Sequence, residues 1–165
     1  MIIKTLQDED FVNYKLPSMF IAFPSCTFKC ERECAECCCQ NSALANSSDI
    51  DISVMAITER YMNNPITKAL VFGGLEPFDS WEDMRALISD LRYYTPDDIV
   101  IYTGYTKDEI ADKLPTLSLY ENIVVKFGRY RPGQAPHYDE ILGVNLASDN
   151  QFAERIEYEN YSQPR

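Results

Sequence analysis

The sequence predicts an α/β fold: a partial (βα) barrel, or a curved open parallel sheet of four to five strands with flanking helices. Three observations lead there. Nearly continuous apolar runs recur along the chain, at MFIAFPS (19–25), KALVF (68–72), DIVIYTG (98–104), NIVVKFG (122–128) and ILGVNLA (141–147). Runs of this kind belong to strands covered on both faces, as in parallel sheets. Helical patterns separate them, which gives βαβ units, and four to five such units are too few for a closed eight-stranded barrel.

The intervening elements follow from local signals. Residues 52–63 read as a helix stopped by Asn63-Asn64-Pro65. Ser80 and Asp83 resemble a capping box, and Met84, Leu87, Ile88 and Leu91 recur at i, i+3, i+4 and i+7, so 81–94 is an amphipathic helix. Thr106 and Glu109 form a second box that opens a short helix to about Leu114. Residues 129–140 read as a loop with Pro and Gly, and the polar tail is expected to be mobile beyond about 155. No repeat or linker interrupts the chain, so 1–165 is expected to be one domain.

An apolar fraction of 45% suffices for a core. The net charge of −11 argues against binding nucleic acid or an anionic membrane. No run approaches the length of a transmembrane helix, and MIIKTLQDED lacks the features of a secretory signal. A cytoplasmic setting with reduced thiols is therefore expected, in which clustered cysteines read as metal ligands or redox groups before disulfides.

All six cysteines lie within CTFKCERECAECCCQN (26–41), and the chain has a single histidine. Thiolates are soft ligands, and several on one loop suit an iron–sulfur cluster. Structural zinc is a second reading, although only Cys34 and Cys37 form a C-x-x-C pair. Surplus, partly buried thiols are the third. Cys26, Gly73-Gly74 and Thr103-Gly104 all fall at strand carboxyl ends, where open α/β sheets bind ligands.

A cysteine loop after the first strand, followed by the turn Gly73-Gly74-Leu75-Glu76-Pro77 after the second, resembles the radical S-adenosylmethionine superfamily. Within it the chain is most similar to the activating proteins of anaerobic ribonucleoside-triphosphate reductase, which are glycyl radical enzyme activases. Ile101-Tyr102-Thr103-Gly104-Tyr105, Leu146-Ala147-Ser148-Asp149-Asn150-Gln151 and Cys39-Gln40-Asn41 resemble segments of that family, over roughly residues 10 to 155. The resemblance implies a 4Fe–4S cluster held by three thiolates, with S-adenosylmethionine on the fourth iron. Its reductive cleavage gives a 5′-deoxyadenosyl radical that takes a hydrogen from a backbone glycine of a large partner, here anaerobic ribonucleotide reductase. An electron donor such as flavodoxin or ferredoxin is implied as well. The two other functional readings are a zinc or iron–sulfur docking module without catalysis, and a radical enzyme acting on a small molecule.

Two departures from the family pattern bear on the site. Cys30, Cys34 and Cys37 satisfy C-x3-C-x2-C literally. Cys26, however, stands at the strand end and Cys39 stands two residues before Asn41, as the family's first and third ligands do. Anchoring both ends gives the set Cys26, Cys30 and Cys39, with Cys34, Cys37 and Cys38 as spare or alternative ligands. Leu75 splits the family's Gly-Gly-Glu, and Pro77 after Glu76 favours Glu76 as the equivalent glutamate. By the same resemblance Gly73 and Gly74 admit the methionyl group, Glu76 accepts from its ammonium, Thr103 lines the nucleoside side, and Asn41 closes the loop. Asn150 and Gln151 read as cap or turn residues before cofactor ligands. Lys29, between two of the expected ligands, reads as solvated before it reads as tempering the cluster's negative charge; His137 has no assigned role, and Phe127, Tyr130 and Tyr138 read as packing.

Overall fold

Strand formation starts earlier in the chain than the apolar runs indicate. In the computed structural model, which describes residues 1–34 and 38–159, the chain opens with Ile2–Ile3 (β1) and Thr5–Asp10 (β2) before Ser18–Phe23 (β3). Lys29–Cys34 (α1), Ser42–Ala45 (α2), Ile50–Asp51 (β4) and Val54–Met62 (α3) follow. Ala69–Gly74 (β5) leads through a 3-10 turn, Pro77–Ser80, into Trp81–Tyr94 (α4) and Asp98–Tyr102 (β6). A second 3-10 turn, Asp108–Ile110, precedes Leu114–Leu117 (α5) and Ile123–Phe127 (β7). His137–Asp139 (β8), Val144–Leu146 (β9) and Phe152–Arg155 (β10) complete the chain.

Six strands form one sheet in the order β10-β7-β6-β5-β3-β2. The inner four are parallel and match the first four apolar runs, with Ala22 opposite Gly73 and Ile101 opposite Val125. Both edges are antiparallel, so the sheet is mixed and open; neither a wholly parallel sheet nor a barrel is formed. An antiparallel neighbour needs only a short connection, and an edge strand needs apolar residues on fewer sides. That is why TLQDED serves as β2 without an apolar run. The fifth run is not a sheet strand: only Val144–Leu146 is extended, and it pairs with β8 inside the expected 129–140 loop. A further strand, β10, which no apolar run marks, pairs with β7 just before the expected polar tail.

Strand alternation sorts side chains by size onto two faces. Leu70, Phe72, Ile99, Ile101, Ile123 and Val125 face the helices, where Met84, Leu87, Ile88 and Leu91 of α4 join them as the helical period requires. The smaller Ala69, Val71, Val100 and Val124 face the other way, toward Tyr14, Leu142 and Leu146. Each large side chain buried here contributes about 1.5–3 kcal/mol. Helices thus cover one face only, and the second face is closed by the 11–16 loop and the β8–β9 hairpin.

The helix starts differ in part from the sequence signals. Ser53 caps α3 by accepting from Ala56 N. Ser80 makes no side-chain cap to α4, because the 3-10 turn before it already carries the chain into the helix (φ −117°, ψ 41°). Glu109 does reach back to Thr106 N (2.9 Å), yet only a 3-10 turn follows and the next helix begins at Leu114. Among the described residues no helix is long and apolar enough to cross a membrane.

Gly74 adopts φ +82°, and an added Cβ would lie 2.6 Å from Ala22 Cβ and 2.7 Å from its Cα. Both β3 and β5 are fully hydrogen-bonded at this register, so neither strand retreats freely. Gly74→Ala is expected to destabilise the protein by about 2–4 kcal/mol, read as a lowered urea midpoint at unchanged slope.

Candidate functional site

The loops after β3, β5 and β6 converge because those strands are parallel neighbours in register. They enclose a cavity of about 350 Å³ at the strand carboxyl ends. Cys26, Cys30, Cys39, Asn41, Gly73, Gly74, Glu76 and Thr103 all line it, so the sheet brings the expected cluster and cofactor residues to one place.

Backbone and side-chain bonds fix the cysteine loop to the other two turns. Leu75 N donates to Phe23 O (3.3 Å) and Glu76 N to Ser25 O (2.7 Å), which lays the glycine turn along the start of the loop. Asp79 takes Thr27 N on one oxygen (2.8 Å) and the Tyr105 hydroxyl on the other (2.6 Å). Thr27 Oγ1 lies 3.2 Å from the same hydroxyl. Three loops thereby share one carboxylate. Asn41 closes the far end of the loop by donating Nδ2 to Gly74 O (2.6 Å).

Cys26, Cys30 and Cys39 are free thiols, each half-buried. Burial pushes the Cys26 thiol up to about 11, against the Phe28 N–H at 3.2 Å, with the charges of Glu76 and Asp79 adding to the rise. Burial also raises Cys30, helped by the neighbouring Cys39. Only a cation would draw these sulfurs into the thiolate form at neutral pH. Cys34 and Cys38 are joined as a disulfide, contrary to the expectation of reduced thiols throughout. Cys34 ends α1 and Cys38 follows four residues later, with the two α-carbons 7.0 Å apart. The literal set Cys30, Cys34 and Cys37 therefore has one sulfur already bonded, and Cys37 lies outside the described residues.

Glu76 is buried, and its carboxylate is committed within the protein. Oε1 accepts from Phe78 N (3.1 Å) and Thr103 Oγ1 (2.8 Å), and Oε2 from Gly104 N (2.9 Å). Burial raises its pKa to about 7, with Thr103, Gly104 and Phe78 pulling the other way. Thr103 is buried as well and serves as the link to β6, accepting from Tyr105 N (2.9 Å). Gly73 leaves its strand bare toward the cavity; a Cβ there would meet the Phe20 ring at 3.1 Å.

Residues not anticipated from the sequence complete the site. Lys126 is buried, donates to Gly128 O (2.7 Å), and is held down to about 8 by burial, with the Glu76 charge opposing. A lysine within the apolar run of β7 is the signal that marks it. Arg129 binds both oxygens of Glu109 and reaches Glu33 (3.4 Å). Arg129 holds the Glu109 carboxyl down to about 2. Lys29 is paired, with Nζ 3.2 Å from Glu109 and 4.3 Å from the centre of the Tyr105 ring. Asn150 Nδ2 donates to Arg129 O (2.9 Å), while Gln151 Oε1 accepts from Ala147 N and Ser148 N (both 3.1 Å), so both stitch loops as cap or turn residues do. Phe127 packs in the core, Tyr130 lines the cavity instead, Tyr138 is exposed, and His137 lies on β8 away from the cavity.

The donor set fits an iron–sulfur cluster. Among the described residues no three His, Cys, Asp or Glu side chains converge tightly enough for a single ion. A cubane places its ligands on separate irons and needs no such convergence. Three free thiols lining one cavity supply the soft donors that a cluster takes.

A family model described as a 4Fe-4S single cluster domain matches residues 23–145. Comparison with curated proteins finds no match, and comparison with solved structures finds none.

The raised pKa of Glu76 fixes the sign of a pH effect. Its stabilisation is complete below the unfolded value of 4.5 and is lost as pH rises through about 7. In metal-free protein the melting temperature of the wild type, relative to that of Glu76→Gln, is expected to fall between pH 4.5 and 7 and then level off. A difference that grows with pH would place the titration elsewhere.

Proposed function

From the premise that this chain belongs to the 4Fe–4S single cluster domain family, we propose that it is a radical S-adenosylmethionine activase. In this reading it generates a glycyl radical on a large partner enzyme, anaerobic ribonucleotide reductase, in the cytoplasm. A donor such as flavodoxin or ferredoxin supplies the electron. Cys26, Cys30 and Cys39 would hold the cluster. When bound, the cluster and the nucleotide supply an electron and an adenosyl radical that abstracts hydrogen from the partner's glycine.

The observation that carries this reading is the pair of opposite charges in the sulfur-lined cavity. Glu76 and Lys126 both face it, and neither has an ion-pair partner among the described residues. Glu76 Oε2 carries one donor and keeps acceptor capacity; Lys126 has further N–H groups beyond the one given to Gly128. An amino-acid group carrying both an ammonium and a carboxylate complements the two together, and a methionyl moiety is such a group. Gly73 and Gly74 let that group approach main chain without a Cβ in the way. Asp79, Thr27 and Tyr105 hold the loop of the first cysteine in place beside the glycine turn.

The test is anaerobic cluster reconstitution followed by dithionite and S-adenosylmethionine, with 5′-deoxyadenosine as readout. Loss of Cys26, Cys30 or Cys39 to Ala is expected to abolish turnover, and Cys34→Ala to retain it. Tetrahedral zinc with four protein donors, or turnover surviving Cys39→Ala, would overturn the assignment. Lys126→Met is expected to raise KM for S-adenosylmethionine by about tenfold or more, as loss of a charge-assisted contact of about 1.5–3 kcal/mol requires, with cluster content unchanged by absorbance.

A further inference from the structure

α1 carries Cys30, yet the core does not hold it. The helix is six residues long and buries none of its side chains. A helix that short does not persist on its own propensity. It starts from Phe28 at φ +51°, a left-handed backbone that a non-glycine residue keeps only under outside constraint. The Cys34–Cys38 disulfide joins two points of the cysteine loop to each other and not to the sheet.

Charged side chains supply the fastening. Arg129, which follows β7, is buried, and its Nη2 binds both oxygens of Glu109 in the second 3-10 turn. Its Nε faces Glu33 Oε1 at 3.4 Å. Lys29 Nζ reaches the same Glu109 at 3.2 Å and lies 4.3 Å from the centre of the Tyr105 ring. Glu109 is braced in turn by Thr106 N (2.9 Å), and Arg129 O accepts from Asn150 Nδ2 (2.9 Å). One jaw of this clasp is fixed in the fold, and the other is α1.

Lys29 and Glu33 are four residues apart, so they share one face of the helix. Holding both at one place fixes the rotation of the helix about its axis. Cys30 follows Lys29 by one residue, about 100° further round, and lines the cavity. The direction of its sulfur is therefore set by ion pairs in which it takes no part. Cys26 and Cys39 are fastened separately, beside the Thr27–Asp79 and Asn41–Gly74 bonds.

We infer that Arg129 is the positioning residue for Cys30: through Glu33, and together with Glu109 and Lys29, it holds α1 at the rotation that presents this thiol to the cluster. The inference rests on the family's cluster and on Cys30 as one of its ligands, and not on the activase reading.

The test uses the metal-free, reduced, full-length protein and pulses of N-ethylmaleimide, with each cysteine followed by mass spectrometry. Arg129→Met is expected to speed alkylation of Cys30 about three- to fivefold, as a part-exposed ion pair allows, and to leave Cys26 at the wild-type rate. Glu33→Gln is expected to do the same, and the double variant no more than either alone. Raised salt is expected to bring the wild type toward the variants. In reconstituted protein, iron release to a ferrous chelator is expected to quicken in both variants. Equal speeding of Cys26 and Cys30 would mean general loosening and would overturn the assignment. Opposite changes of Cys30 in the two variants would mark a charge effect on the thiol, and would overturn it too. So would unchanged Cys30 rates, effects that multiply in the double variant, or iron release at the wild-type rate. Should Arg129→Met fail to fold, Glu33→Gln, a change at a half-exposed residue, decides together with the salt dependence. S-adenosylmethionine enters none of these measurements, so absent 5′-deoxyadenosine would sink the activase reading and leave the clasp standing.

Discussion

The Glu76 carboxylate is where β5, β6 and the start of the 3-10 turn are joined, and the arrangement of the cavity depends on it. Three donors from Phe78, Thr103 and Gly104 converge on one buried carboxyl group. Removing any one leaves a buried group without its partner, which costs more than an ordinary hydrogen bond contributes. Two of the donors belong to the turn after β6, and the glutamate belongs to the turn after β5. The distance between those turns is therefore set by a side chain, and the width of the cavity with it. Asp79, one short turn later, does the same for the cysteine loop through Thr27 and Tyr105. Two carboxylates three residues apart thus define the positions of all three loops.

This division of labour explains the sorting of side chains in the sheet. Large residues on the helix face, such as Phe72 and Ile101, anchor strands that need not move. Small residues on the other face leave space that loops can border without filling. Gly73 and Gly74 extend that logic to the end of β5, where even a methyl group collides with Phe20 or Ala22. The cavity is the place where the sheet has no side chains to fill it.

Much of this was legible in the sequence, and the reason lies in how many constraints act on each residue. The four inner strands are buried on both faces, so their apolar runs mark them. α4 packs a single stripe, so its period marks it. The edge strands β2 and β10 carry acidic and polar residues because half their environment is water, and nothing in TLQDED or FAER separates them from loop. The cysteine loop and glycine turn could be placed on one rim from topology alone. The network of Asp79, Tyr105, Glu109 and Arg129 could not, since each is an ordinary surface residue until the fold brings distant turns together. The Cys34–Cys38 pairing was likewise invisible, because spacing does not fix which of six neighbouring thiols meet.

The electrostatics of the cavity carry the synthesis one step further. The chain is strongly acidic overall, at −11, and three thiolates would add to that charge. Yet cations stand at the rim: Lys126 in the wall, Lys29 and Arg129 beside the Tyr105 ring. Arg129 and Lys29 are largely neutralised by Glu109 and Glu33, so their effect is to hold α1 against the end of β7. Among the described residues Lys126 has no such counter-ion, and it is buried. A buried lysine without a close counter-ion meets the cost of desolvation by a lowered pKa, here about 8. The committed Glu76 supplies part of the opposing charge at a distance, which is why it appears as an influence on Lys126 without an ion pair. An anion filling the cavity would supply the remainder. An anionic cluster and the carboxylate of an amino-acid ligand both have the right sign, and a neutral occupant would leave the lysine unpaired.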